Sequence, residues 1–395
     1  MILDYIHADN SRERIELDLD TDVNDKWLNI SSKNKLEFIK TFLPAFQSGQ
    51  KLVLFDSKHK QLAKFHKEND ISRFKKFDEV DSCAQLLFFT SGSSGFPVGA
   101  FKTRKNILQE VEELKNLLDS YNIKKVVATV PFVHIYGVLA GLLLPMSLGN
   151  IELVVKEDFL PYEILSETSC GNTLVVTTPV FIKALGKLDE KVDMSSSLFI
   201  SSTGPLQNED VQTLEEKYNT NIIQLFGSTE TGGIAYKQGS DAMWNALKLV
   251  NISSKNNKLS VKSPFISPYI LDKEIKVLQQ PFTTEDIIEH DNERFRLIGR
   301  SNKLIKIAGK RISASHIESI LETLDGVEKA VVELVYKKEL LRSEQILITL
   351  QSEKKIDKLT IKAKIAECLG VLTIPFKVKY VDEINLSAMG KKIVF

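Results

Sequence analysis

From Lys51 to about Leu225 the chain alternates short β-rich apolar runs with helical segments, and no other feature limits its folding so strongly. The runs read KLVLF, AQLLFF, KKVVATV, IELVV, TLVVTT, SLFIS and NIIQLF. Between them, Ile107, Val111, Leu114, Leu118 and Tyr121 fall on one helical face, as do Val211, Leu214 and Tyr218. Such alternation predicts parallel strands joined by helical crossovers. Sheets of this kind take ligands outside the carboxyl ends of their strands. After Gly232 the pattern changes to short strands with turns, including NKLSVKS and RFRLIG. From Ser301 a small α/β unit follows. It contains KLIKI, a helix near Ser315–Leu324, EKAVVELV, QILITLQ, a helix near Asp357–Leu369, and FKVKYVD.

Composition narrows the function classes. Lys+Arg and Asp+Glu both total 52, so no overall charge points to nucleic acid. The three cysteines, Cys83, Cys170 and Cys368, lie far apart without CxxC spacing. That argues against a zinc site or a disulfide framework and suits a reducing compartment. The N-terminal residues carry acids early and do not read as a signal peptide. The most apolar stretch, VLAGLLLPMSLG, is too short to span a bilayer. The expectation is a soluble cytoplasmic protein with no membrane insertion and no nucleic acid partner.

Five stretches have residue types that can carry chemistry. In LLFFTSGSSGFPVG a strand runs into Thr90, Ser91, Gly92, Ser93, Ser94 and Gly95. Backbone N–H groups and hydroxyls in such a turn suit phosphate oxygens. Glycine allows the positive φ that aims the amides inward. No Gly-Lys-Ser/Thr follows, so it is not a Walker loop, and a solvated Gly/Ser linker or a surface hairpin fits as well. In PFVHIYG, His134 follows a strand and precedes an apolar helix. It is either a satisfied strand-end histidine or part of an organic-substrate pocket. In NIIQLFGSTETGG a strand leads to Phe226, Gly227, Ser228, Thr229 and Glu230. Hard hydroxyl and carboxylate oxygens there suit phosphate with Mg²⁺. The alternative is a helix N-cap with Glu in its first turn. Asp286 and Arg300 bracket a hairpin and could hold ribose hydroxyls or form a surface ion pair. In LSAMGKKIVF, Lys391 follows a glycine, and a solvated tail is the plain reading.

The order of these pieces says more than any one of them. LLFFTSGSSGFPVG, PFVHIYG, SSTGPL, LFGSTETGG, the segment from Glu285-Asp286 through IGRSNKLIKIAGKRIS, and SAMGKK follow one another as in adenylate-forming enzymes. From Leu86 to Phe395 the chain resembles the acyl- and aryl-CoA ligases, which are related to nonribosomal-peptide adenylation domains and luciferase. The resemblance implies an α/β fold. Residues 1–300 would form a large N-terminal adenylation domain of mixed, mostly parallel sheets with flanking helices and a β-rich subdomain. Residues 301–395 would form a small mobile C-terminal α/β domain carrying the catalytic lysine. It also implies ATP-dependent activation of a carboxylic acid to acyl-AMP. The acyl group then passes to the thiol of CoA or of a phosphopantetheine carrier protein.

Carried over motif by motif, Thr90 to Gly95 would hold the β- and γ-phosphates. The backbone at Thr203, Gly204 and Pro205 would meet the adenine, with Phe226 stacking on it beside Gly227. Thr229 would contact the α-phosphate and Glu230 would bind Mg²⁺. Asp286 and Arg300 would hold the ribose. Lys391 would reach the substrate carboxylate and the α-phosphate, and His134 would lie beside the acyl pocket. Asn302 takes the hinge place, where rotation would exchange the Lys391 loop for Ile307–Lys310. Gly309 would let the pantetheine arm pass. In the tail Lys and Arg outnumber Asp and Glu, which suits CoA phosphates or an acidic carrier protein.

Departures from the family pattern are specific. Val98 stands where a lysine usually follows the loop proline, and Lys102 is the nearby lysine that could reach in. Glu285 replaces a glycine, Asn302 an Asp or Lys, and His316 a glutamate. The loop strand starts already at Leu86, so the N-terminal region is short for the family. Val133 follows Phe132 where amino-acid-activating domains usually place an aspartate, which disfavours that alternative. A non-catalytic acyl or nucleotide binder is the other alternative, motivated by Val98 and the short N-terminal region. The substrate expectation is a fatty or aryl acid.

Overall fold

The computed structural model describes all residues except 1, 18, 20–21, 32–33, 58–59, 91–96, 170, 292, 302–303, 308–309, 337–343, 370–374, 387–391 and 394–395. The chain forms two compact units. One comprises residues 1–252 with 261–282, the other residues 253–260 with 283–395.

In the first unit nine strands lie side by side. Their order is Trp244–Ala246, Gly232–Gln238, Asn221–Ser228, Leu198–Ser201, Thr173–Thr177, Lys125–Ala128, Glu152–Lys156, Ile2–Ile6 and Arg12–Ile15. From Asn221–Ser228 through Ile2–Ile6 every neighbour is parallel. This is the arrangement that the strand–helix alternation predicts. The parallel strands read as continuous apolar runs because both faces are covered; all five residues of Thr173–Thr177 are buried. Val127, Val154, Val175, Phe199 and Ile222 form one core with Val211, Leu214 and Tyr218 of the helix Asn208–Tyr218.

The apolar runs do not share one sheet. Leu52–Leu54 and Leu86–Thr90 pair in parallel in a second sheet of the same unit. Its order is Glu274–Val277, Tyr269–Asp272, Val98–Lys102, Leu86–Thr90, Leu52–Leu54 and Leu28–Ile30. Leu86–Thr90 and Val98–Lys102 are antiparallel, with Thr90 opposite Val98. Gly99 sits on a tightly packed face, where a Cβ would lie 2.8 Å from Leu87 Cδ1 and 3.3 Å from Leu271 Cβ. The helix Arg104–Leu118 then starts at a capping box between Thr103 and Asn106. It buries Ile107, Val111, Leu114 and Leu118, as its periodicity predicts, but also Glu110 and Glu113.

The second unit contains, from Thr283 onward, the hairpin of Phe282–Asp291 with Arg294–Arg300. It also has a three-stranded sheet. Val327–Tyr336 is antiparallel to Glu344–Ser352, which is parallel to Phe376–Val381. The helices Ala314–Leu321 and Lys358–Leu369 close a core that includes Ile305, Ile317, Leu321, Ile348, Ile361 and Ile365. Each of these elements overlaps a segment read from the sequence. Among the described residues no helix is long and apolar enough to cross a membrane.

Candidate active site

In the first unit the motifs collect at the carboxyl ends of the parallel strands. Ser201 lies opposite both Thr177 and Gln224 in register, so Thr173–Thr177 and Leu198–Ser201 end level, while Asn221–Ser228 runs on past Gln224 before its turn. Thr129 follows the next strand, and its hydroxyl donates to the Val176 carbonyl at 3.1 Å. His134 comes five residues later, half-buried, with its carbonyl accepting the Val138 N–H at 3.0 Å. The turn before it packs closely on the helical turns Gly137–Leu143. A Cβ at Gly137 would lie 2.1 Å from the Pro131 carbonyl oxygen. Tyr136 is buried there, its hydroxyl 3.0 Å from the Ile200 carbonyl and 3.2 Å from that of Thr177. Burial pushes its pKa well up, so it stays a neutral donor. Lys35 donates to the Thr129 and Lys156 carbonyls at 3.3 and 2.9 Å, and so ties that strand end to the end of Glu152–Lys156.

Thr203 has φ +83°, a conformation that a β-branched residue rarely adopts. Holding it costs about 1–3 kcal/mol, and such strain collects at functional sites. The strained residue belongs to SSTGPL, one of the six ordered motifs. Ser202 donates from Oγ to the Leu225 carbonyl at 3.0 Å, fixing this loop to the neighbouring strand. Phe226, half-buried, packs at 5.4 Å between ring centroids against Trp244.

The segment Phe226–Gly233 is a β-hairpin turn. Asn221–Ser228 returns antiparallel as Gly232–Gln238, with an irregularity between Phe226 and Gly227. The helix N-cap alternative is thereby excluded. Within the turn, Ser228 Oγ lies 2.9 Å from Thr231 Oγ1, which also accepts the Ser228 N–H at 3.1 Å. Thr231 and Gly232 are buried, while Thr229 and Glu230 are half-exposed. Among the described residues the Glu230 carboxylate makes no hydrogen bond, and no cluster of three or more His, Cys, Asp or Glu side chains could enclose a metal. One carboxylate beside a hydroxyl fits Mg²⁺ that arrives with phosphate oxygens rather than in an all-protein cage.

Lys102 does not replace the lysine missing at Val98. It is fully buried, and its Nζ donates to the Phe265 carbonyl at 2.6 Å and the Glu230 carbonyl at 3.3 Å. Burial pushes its pKa down to about 8, against the attraction of Glu110 and Glu230. Glu110 is buried too, and accepts the Gly233 N–H at 2.6 Å. Burial raises its carboxyl pKa, opposed by the Lys102 charge and by that N–H. Glu113, one turn on, accepts the Lys248 N–H at 2.6 Å. Sequence reading missed Glu110 and Glu113, because charged residues on an amphipathic helix read as its solvent face.

In the second unit Asp286 and Arg300 face each other in register, Oδ1 to Nε 3.6 Å. Burial raises the Asp286 carboxyl pKa more than Arg300 lowers it. The neighbouring Glu285 is bound at 2.8 Å by Lys258 and also accepts a hydrogen bond from Ser301. These two bonds hold its pKa below the usual carboxylate range. Near the C-terminus Lys392 donates to Glu318 at 3.3 Å, Glu322 at 2.6 Å and the Ala330 carbonyl at 2.8 Å. Ser91, Gly92, Ser93, Ser94, Gly95, Asn302, Gly309 and Lys391 lie outside the described residues, as does the side chain of Thr90.

Comparison with known proteins adds independent findings. The family model described as AMP-binding enzyme matches residues 29–281. A 4-coumarate–CoA ligase of Halorhodospira halophila is 26% identical over 318 residues, 80% of this chain and 76% of that protein. A putative long chain fatty acid-CoA ligase of Staphylococcus haemolyticus is 25% identical over 351 residues, 84% of this chain and 74% of that one. The fold is similar to the o-succinylbenzoate CoA synthetase of Bacillus subtilis in complex with its acyl-adenylate intermediate. That match has TM-score 0.78 and 19% identity, covering 94% of this chain and 87% of that one. The ATP-bound MatB of Rhodopseudomonas palustris aligns with TM-score 0.76 and 15% identity over 99% and 94% of the two chains.

Proposed function

The chain belongs to the AMP-binding enzyme family, and from that premise we propose that it activates a carboxylic acid with ATP and transfers the acyl group to a thiol. In the first half-reaction a carboxylate oxygen attacks the α-phosphorus of ATP, and pyrophosphate leaves. In the second, a thiolate attacks the acyl carbonyl, and AMP leaves. Adenylation is needed because a free carboxylate is a poor electrophile with no adequate leaving group.

One observation carries this reading. Thr203–Gly204 follows the carboxyl end of Leu198–Ser201, and the adjacent parallel strand Asn221–Ser228 carries Phe226 and leads into Thr229 and Glu230, at the end where such sheets take ligands. Thr229 would donate to the α-phosphate, and Glu230 would hold Mg²⁺, which screens phosphate charge when bound. Phe226 would stack on the adenine, and His134 would border the acyl side. We assign Thr90 to Gly95 to the β- and γ-phosphates, Asp286 and Arg300 to the ribose, and Lys391 to the carboxylate and α-phosphate. Its charge would stabilise the anionic transition state. Residues 1–300 would act as the adenylation domain and 301–395 as the small mobile domain, with Gly309 beside the thiol arm.

The substrate class we favour is a fatty or aryl acid, and the acceptor CoA or a carrier-bound phosphopantetheine, in the cytoplasm. The apolar segment after His134 supports an apolar acid, with Val138, Leu139, Leu142 and Leu143 all buried beside it. The relatives named as 4-coumarate and long chain fatty acid ligases support the same class. A panel of fatty, aryl and amino acids, each with and without CoA, tests the proposal by pyrophosphate release. Release with fatty or aryl acids and thioester formation only with CoA is the expected result. Preference for amino acids would reverse the substrate assignment, and ATP binding without release would mark a binder.

A further inference from the structure

We propose that Lys102 and Glu110 are positioning residues that clamp the hairpin turn of Ser228–Gly233 from below and so set the place of Thr229 and Glu230. This rests on the ligase reading above. The turn is held on both sides of its tip. On one side the Glu230 carbonyl accepts from Lys102 Nζ at 3.3 Å and from the Ser267 N–H at 2.8 Å. On the other, Glu110 Oε1 accepts the Gly233 N–H at 2.6 Å. There is no slack between turn and support. A Cβ at Gly232 would lie 2.6 Å from Glu110 Oε2 and 2.7 Å from Phe265 Cβ. The inner hydroxyl of Thr231 is satisfied by Ser228 and by the Gly232 carbonyl. The main chain of the turn is thus fixed, and the side chains of Thr229 and Glu230 remain half-exposed.

The identity of the clamp is informative. Burying an ammonium and a carboxylate is costly, and an apolar pair of similar volume often serves stability as well. Here both charged groups address backbone atoms of one turn. Lys102 ends the strand Val98–Lys102, which directly follows the loop assigned to the β- and γ-phosphates. The same lysine therefore links the strand leaving the phosphate loop to the turn bearing the Mg²⁺ carboxylate. That link would hold the turn against the strand Val98–Lys102, in the way outer groups orient the ligands of a metal.

The test uses the full chain with Lys102→Met, Glu110→Gln and the double variant. ATP affinity is measured by calorimetry in saturating Mg²⁺ and in EDTA, with urea unfolding by tryptophan fluorescence as the fold control. Lys102→Met alone leaves Glu110 buried without its counter-charge and can fail to fold; the double variant removes both charges and avoids this. We expect the Mg²⁺-dependent gain in ATP affinity to fall by about 10-fold or more in the double variant. Affinity in EDTA, to which Thr229 contributes without Glu230, should fall by a smaller factor, and Glu110→Gln, which keeps an acceptor for Gly233, should lose less in both conditions. A merely structural role would lower the folded fraction without changing the ratio of the two affinities. A folded double variant with the full Mg²⁺-dependent gain overturns the clamp. Wild-type chain that binds no ATP in either condition overturns the ligase reading, and the clamp with it.

Discussion

Replacing Gly232 by alanine should damage the hairpin turn in two separable ways. Gly232 has φ +71°, and alanine in that left-handed region costs about 1–2 kcal/mol. Its Cβ would also sit 2.7 Å from Phe265 Cβ and 2.6 Å from Glu110 Oε2. Phe265 is fully buried and cannot retreat at its Cβ, so overpacking adds about 1–3 kcal/mol. The sum is about 2–5 kcal/mol, a large part of the stability of an ordinary domain. Urea unfolding followed by tryptophan fluorescence measures it directly. Both tryptophans, Trp27 and Trp244, lie in the first unit, so the signal reports that unit alone. We expect a lower midpoint with unchanged slope, a change in stability rather than in compactness. Gly232→Asn separates the two contributions, because asparagine tolerates left-handed backbone but keeps the Cβ clash. An alanine variant as stable as wild type would refute the close-packed support of the turn.

Two further outcomes follow from the structure. Burial holds the His66 imidazole below its ordinary pKa of 6.5, packed edge-on to Phe55 at 4.1 Å and bonded to Asn29. The unfolded chain then binds the proton more readily, so this contribution is complete above 6.5 and fades as pH falls below it. His66→Gln should flatten the fall in urea midpoint between about pH 7 and about pH 5; an unchanged slope would count against it. Lys392→Met leaves Glu318 and Glu322 without their shared cation, at a cost of about 2 kcal/mol. Hydrogen exchange should quicken in Val327–Tyr336 while Trp27 and Trp244 fluorescence stays as in wild type; unchanged exchange would show the anchor to be dispensable.

The alternation of strand and helix made the parallel run from Asn221–Ser228 to Glu152–Lys156 legible, because strands covered on both faces show as unbroken apolar segments. The hairpin joining Asp286 to Arg300 was legible because its two strands follow each other directly in sequence. What the pattern hid was non-local. Ile2–Ile6 joins the central sheet beside Glu152–Lys156, a pairing no local window contains. Lys102 meets Glu230 across 128 residues, and nothing about a lysine at a strand end says that it is buried. Glu110 and Glu113 show the same limit. Helical periodicity separates apolar from polar positions, but it cannot tell a polar residue facing water from one facing an unpaired backbone N–H. The Phe226–Glu230 motif was found by residue type, but only pairing with Gly232–Gln238 showed it to be a hairpin turn rather than a helix start.

Acid-dependent exchange of labelled pyrophosphate into ATP tests the central claim most directly, since it reads adenylate formation without requiring a thiol acceptor. The wild-type chain should exchange label when a fatty or aryl acid is present, and Lys391→Ala should not. Absence of exchange in the wild type with every acid tried, under conditions where ATP binds, would contradict the account.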